Sequence, residues 1–115
     1  TGSRTMRFIP GPSVRPGDYA FDVAEETGSA GSTALVFQTI ALPLAFAPGP
    51  SSVAIKGGTH VAWSPPADYL REVYLPAIAP MGLSFSVEVP LWGFYPIGGG
   101  ELDVRIDPAD PPIRP

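Results

Sequence analysis

Cysteine is absent from the 115 residues, and histidine occurs once, as His60. Without thiols there can be no disulfide and no thiolate metal centre, and the redox compartment is left open. A lone imidazole cannot fill a zinc site, which takes several nitrogen or sulfur ligands. Charge is also sparse: 16% of residues are charged, only seven are Lys or Arg, and the net charge is −4. Those seven are scattered along the chain, which argues against a free-standing nucleic-acid binder with its usual basic patch. No unbroken apolar run reaches the ~18 residues of a membrane span. No signal-peptide pattern is visible, and Thr1 is not an initiator methionine, so the chain reads as starting inside a longer protein.

What is abundant is proline and glycine, 16 and 13 residues, against 44% hydrophobic residues. No Gly-X-Y period exists, so these residues mark turns and strand edges, not collagen. The length suits one domain, with a core that buries about two thirds of the unfolded surface. Residues 1–108 read as a single domain and 109–115 as a Pro-rich exit tail.

Met6 to Ile9 reads as a short strand, ended by Pro10-Gly11-Pro12, that forms a leading hairpin with the next strand. From Asp18 to Val23, Tyr19, Phe21 and Val23 alternate with Asp18, Ala20 and Asp22, the period of a half-buried strand. Thr27 to Thr33 then opens an apolar segment, Ala34 to Phe46, with the Ser/Thr chemistry of a helix N-cap. Because the segment is apolar nearly all round, a deeply buried helix is expected. Gln38 is its one bulky polar residue, either satisfied at the core's edge, turned to solvent, or aimed into a ligand site. Pro43 should kink or end its last turn.

Ser51 to Ile55 reads as a buried strand. It runs into Gly57-Gly58-Thr59-His60, a loop that ends on Pro65-Pro66 at the start of a second helix, about Pro66 to Ala79. Tyr69, Leu70, Val73 and Ala77 form that helix's apolar face, opposite Asp68, Arg71 and Glu72. Pro76 lies inside it. Leu83 to Val89 alternates again. After Gly98-Gly99-Gly100, Leu102, Val104 and Ile106 alternate with Asp103 and Arg105, an antiparallel hairpin across a glycine turn. The expected fold class is α+β: a two-layer βαβαββ sandwich, four mixed strands with two helices on one face, preceded by the short hairpin strand.

Local chemistry alone gives no reaction. Nothing beside His60 specifies a triad hydroxyl. The glycine run lacks the Lys-Ser/Thr of a phosphate-binding loop and reads as a flexible turn. The eleven acids are scattered, and no catalytic pair stands out.

Three stretches carry a resemblance. Gly28 to Thr39 with Leu42 to Ala47, Gly57-Gly58-Thr59-His60 with Ser64 to Tyr69, and Gly93-Phe94-Tyr95-Pro96-Ile97-Gly98-Gly99-Gly100-Glu101 resemble, in order, segments of the RNA 3'-terminal phosphate cyclases. The resemblance covers most of the chain. It implies one unit, the second βαβαββ repeat, of enzymes about three times as long. That unit is similar to the C-terminal domain of a bacterial translation initiation factor and to repeats of the enolpyruvate transferases.

The activity it implies is ATP-dependent conversion of an RNA 3'-phosphate to a 2',3'-cyclic phosphate through a histidine–AMP intermediate. The adenylylated histidine lies outside this chain, so the fragment is expected to be inactive alone. By resemblance, Gln38 and Pro65 contact ATP; they are expected to line one cavity, because each sits at an end of a helix that borders the same sheet edge. Gly57, Gly58, Thr59 and His60 form a candidate substrate loop, Mg2+ is implied by the family, and the location is cytoplasmic. The partners implied are the RNA 3'-phosphate end and the remaining cyclase repeats. The family often has a basic residue before Gly93 and a basic or small one after Pro96, where Trp92 and Ile97 stand here. Both changes remove positive charge and add apolar surface, which favours self-association. The alternatives are a stand-alone, non-catalytic folding module that forms a homo-oligomer, and a non-catalytic cyclase-like protein of ribosome assembly.

Overall fold

A computed structural model describes residues 4–23 and 30–114. Its order is β1 (Asp18–Asp22), α1 (Thr33–Ala45), β2 (Ser51–Gly57), α2 (residues 67–81), β3 (Phe85–Leu91) and β4 (Gly100–Ile106). The four strands form one sheet in the order β1-β2-β4-β3. β1 and β2 are parallel, as a helical crossover requires, and β4 runs antiparallel between β2 and β3. The α+β class and the two helices match the sequence expectation.

One sheet face is buried and the other open. Val53 pairs with Val104, Ile55 with Leu102, and Phe85 with Ile106, all on the helix side. Ser52, Lys56, Asp103, Arg105, Ser86 and Glu88 occupy the open side. Phe37 at the centre of α1 is fully buried. Its ring meets Phe85 and Tyr74 edge-on, at centroid distances of 5.9 and 6.4 Å.

Four expectations need correction. The leading hairpin does not form: no strand precedes β1 among the described residues, and Met6, Phe8 and Ile9 are exposed. β1 takes β2 as its ladder partner instead, and the prolines at 10, 12 and 16 deprive the leading segment of N–H donors.

The first helix is one-sided. Thr33, Ala34, Phe37, Ala41, Leu44 and Ala45 face the sheet, while Leu35, Gln38 and Leu42 face outward. A two-layer unit has only one sheet to cover the helix. Its N-cap is Ser32, whose hydroxyl accepts the Leu35 N–H at 3.2 Å. Thr27, Gly28 and Ser29 of the same motif lie outside the described residues.

The core face of α2 is rotated from the expected one. Ala67, Leu70 and Leu75 are buried, whereas Tyr69, Val73 and Ala77 are exposed. Leu70–Tyr74 is a π-helical stretch, with the Leu75 N–H bonded to the Leu70 carbonyl. One extra residue per turn aligns Leu70 with Leu75. Pro76 supplies the cause, since its ring would clash with the carbonyl four residues back.

The glycine turn is shaped rather than flexible. Gly98 and Gly99 hold φ of 75° and 65°, and the Gly98 N–H bonds the Phe94 carbonyl at 2.8 Å.

β3 contains a register shift between Glu88 and Leu91, at Pro90, which an edge strand tolerates. After β4 the chain returns under the helices. The Ala109 N–H bonds the Ala45 carbonyl at 2.7 Å, and Ile113 packs on the core.

Candidate functional site

Strands β1, β2 and β3 run the same way, so their carboxyl ends lie at one edge of the sheet. The loops at residues 58–66 and 92–99 emerge there, and both helices begin there. That edge is where open α/β sheets gather ligands.

The loop after β2 is zipped on three sides. Gly58 donates to the Gly31 carbonyl (2.7 Å) and accepts from the Thr33 N–H (3.0 Å), which ties it to the start of α1. The N–H groups of Thr59 and His60 both reach the Gly93 carbonyl, at 2.9 and 3.0 Å. The Ala67 N–H bonds the Thr59 carbonyl at 2.9 Å, which anchors α2. Glycine is required at 58, because a Cβ there would stand 2.7 Å from the Ala30 carbonyl oxygen.

His60 does have a hydroxyl and a carboxylate beside it. Thr59 Oγ1 lies 2.9 Å from its Nδ1, and Asp68 Oδ2 lies 3.3 Å from its Nε2. With the Asp68 carboxylate accepting from Nε2–H, the Thr59 hydroxyl has two acceptors for its one proton, Nδ1 and, at 3.3 Å, the Gly93 carbonyl. The Thr59 oxygen in turn accepts the Gly93 N–H at 3.0 Å. Thr59 is 1% exposed and fully engaged, so this chain of bonds holds the loop rather than presenting a nucleophile. Asp68 Oδ1 also takes an Arg71 N–H at 3.1 Å. The Glu72 hydrogen bond, with the Coulombic pull of Glu72 and Asp68, raises the Arg71 pKa despite some desolvation.

The His60 ring lies parallel to Trp92, 4.5 Å between centroids and 4° between planes, with Phe94 alongside at 5.6 Å. Next to this cluster a cleft of about 550 Å³ opens between the start of α1 and the two loops. Ser32, Leu35, Val61, Trp63, Ser64 and Tyr95 line it. The Ser32 and Ser64 hydroxyls are hydrogen-bonded across its floor. Trp63 is fully exposed on a left-handed backbone, φ 66°, which is unusual for a bulky residue. The volume and the apolar, aromatic lining suit a small planar ligand. Another hollow, about 400 Å³ on the open sheet face, is a furrow between strand side chains such as Ser86, Glu88 and Arg105.

Gly57, Gly58 and Thr59 are buried at the carboxyl end of β2, His60 is mostly covered, and Pro65 is half-buried. The fold brings these five together. Gln38 is exposed on α1, three residues past Leu35 and so one turn beyond the cleft. Neither Gln38 nor Pro65 lines the cleft; Leu35 and Ser64 do, which replaces the expected shared cavity with one between their neighbours. Sequence reasoning missed Trp63, Tyr95, Asp68 as the partner of His60, and the ring stack. These loop residues have no periodicity to betray them.

The class so defined is a two-layer βαβαββ unit whose glycine-rich loops converge at the carboxyl end of three parallel strands. The family model for RNA 3'-terminal phosphate cyclase matches residues 1–115. The chain is 51% identical over 107 residues to the RNA 3'-terminal phosphate cyclase of Nostoc punctiforme, covering 91% of this chain and 31% of that protein. It is 53% identical over 103 residues to that of Methylococcus capsulatus, covering 88% and 28%. Against that of Archaeoglobus fulgidus it is 45% identical over 109 residues, covering 95% and 32%. This chain belongs to the RNA 3'-terminal phosphate cyclase family and spans a little under a third of the length of these curated relatives.

Proposed function

We propose that this chain is one repeat, residues 1–108, of an RNA 3'-terminal phosphate cyclase, and that it forms part of the wall of the ATP site and of the RNA path. The observation that carries the reading is the family match along the whole chain, at under a third of the relatives' length. ATP would supply the adenylyl group that activates the RNA 3'-phosphate for attack by the neighbouring 2'-hydroxyl. The nucleophilic histidine lies in another repeat, and His60 is not it: both its ring nitrogens are engaged and its ring is stacked.

The cleft fits a nucleoside. Leu35, Val61, Trp63 and Tyr95 offer apolar and aromatic surface, and Ser32 and Ser64 offer hydroxyls. Its lining has no basic side chain, so phosphate charge is met by the remaining repeats. Gln38 and Pro65, which lie outside the cleft lining, would contact the parts of the nucleotide that extend beyond it, and Gly57, Gly58, Thr59 and His60 border the RNA end. Among the described residues no three metal-ligating side chains gather, so this unit offers no protein cage for Mg2+, which would be held chiefly by the nucleotide phosphates and water. The described helices include none long and apolar enough to cross a membrane. Ligase chemistry, RNA processing and a cytoplasmic location belong to the same proposal.

Calorimetric titration of the chain with ATP tests it. Binding that Gln38→Ala weakens tenfold or more is the expected result, and a folded chain that takes no ATP would overturn the nucleotide-site assignment. A second reading, a non-catalytic module that self-associates, is favoured by the exposed Leu35, Leu42, Phe46, Trp92 and Ile97. Light scattering that returns an oligomer together with no ATP binding would select it.

A further inference from the structure

We infer that Trp92 and Phe94, backed by His60, form a stacking platform for an unpaired base of the RNA strand; the inference rests on the cyclase reading above. The three rings are a triangle, not a column. Trp92 and Phe94 are 6.3 Å apart at 28°, and His60 lies 4.5 and 5.6 Å from them. Were His60 sandwiched between the other two, their separation would be nearly twice as large. His60 is therefore laid across one side of a Trp–Phe pair. Its side chain is 16% exposed, while Trp92 and Phe94 are 51% and 54% exposed, so about half of the pair's surface remains accessible to a partner.

The platform is held rigidly. Gly93, between the two rings, is held by three hydrogen bonds: its carbonyl accepts from the Thr59 and His60 N–H groups, and its own N–H donates to the Thr59 side chain at Oγ1. The backing ring is fixed at both nitrogens by Thr59 and Asp68. A preorganised pair of aromatic rings, inclined to each other by 28°, suits a planar ring more than an aliphatic side chain, since stacking needs area and little entropy remains to be lost.

The local charge separates this site from a phosphate site. Among the described residues, the cation joined to the cluster through Asp68 is Arg71, and it is engaged by Asp68 and Glu72. A phosphate gains nothing there, whereas a neutral base does. The position also fits, because the rings stand at the same end of the sheet as the Gly57–His60 loop.

The test is an NMR titration of the 15N-labelled chain with a short single-stranded oligoribonucleotide ending in a 3'-phosphate, with its abasic analogue, and separately with ATP. The two indole N–H signals report two places, Trp63 in the cleft and Trp92 on the platform, and Trp92→Ala assigns them. The oligonucleotide should shift Trp92 and Phe94, the abasic analogue should not, and Trp92→Ala should weaken binding about tenfold while Trp92→Phe restores most of it. Equal shifts from the abasic analogue, unchanged affinity in Trp92→Ala, or no binding by a chain with a folded spectrum would each overturn the inference. So would a Trp92 signal that moves with protein concentration alone, which would make a second copy the occupant. ATP that fails to move Trp63 counts against the nucleotide-site reading, and the platform is judged on Trp92 alone.

Discussion

Gly93 is where three backbone segments meet, at Gly57, Gly100 and the Thr59–His60 pair, and replacing it with alanine should be the most damaging single-methyl change in the site. A Cβ at 93 would stand 2.4 Å from the Gly100 nitrogen, 2.4 Å from the Gly57 carbonyl oxygen and 2.7 Å from the Gly100 Cα. All three are backbone atoms, and Gly57 and Gly100 are ladder partners in β2 and β4, so neither can yield alone. Overpacking a tight site costs about 1–3 kcal/mol, and more where nothing can move. Displacing residue 93 also weakens its bonds to Thr59 and His60, at about 1 kcal/mol each. A total near 4 kcal/mol follows, a large part of the ~5–15 kcal/mol that holds a domain together.

Gly99→Ala is the control in the same loop. Gly99 has φ 65°, and its added Cβ meets only Ile97, at 4.0 Å. It should cost about 1 kcal/mol, the left-handed penalty alone. With a urea slope of about 1.3 kcal/mol/M, Gly93→Ala lowers the unfolding midpoint by about 3 M, and Gly99→Ala by under 1 M. Equal midpoints for the two variants would refute the account of the loop as a three-way backbone contact.

Further outcomes follow from the same geometry. Thr59→Val keeps the side chain's shape but leaves the buried Gly93 N–H without its 3.0 Å acceptor. It should destabilise by about 2 kcal/mol in urea melts, with Thr59→Ser recovering most of the loss. Phe37→Ala empties the space between Phe85 and Tyr74 at a fully buried site. A loss of about 4 kcal/mol is expected, against about 1.5 kcal/mol for Phe37→Leu, read as a difference in chemical-denaturation midpoints.

Much of the fold is legible in the sequence because it is local. Period-two alternation places Leu102, Val104 and Ile106 on the inner side of their strand, and the run Ser51 to Ile55 reads as a strand, both as found. The Ser/Thr run before Ala34 announces a cap that Ser32 makes. The Gly-Gly-Thr-His loop, read with the two other motifs, points to the family before any coordinate is known.

What sequence periodicity could not decide is which strands pair and how the faces are phased. β1 joins β2 rather than the leading segment, because the crossover through α1 returns the chain parallel to it. The core face of α2 depends on a π-helical stretch set by Pro76 and invisible to a 3.6-residue count. The site is tertiary for the same reason. Thr59, His60, Asp68, Trp92 and Gly93 meet only when two loops and the first turn of α2 come together at one end of the sheet, and contacts between residues 34 apart, such as Thr59 with Gly93, leave no local trace. The chain itself determined its strands, its caps and its family. The tertiary structure alone decided that an isolated histidine has a hydroxyl on one nitrogen, a carboxylate on the other and a tryptophan against its face.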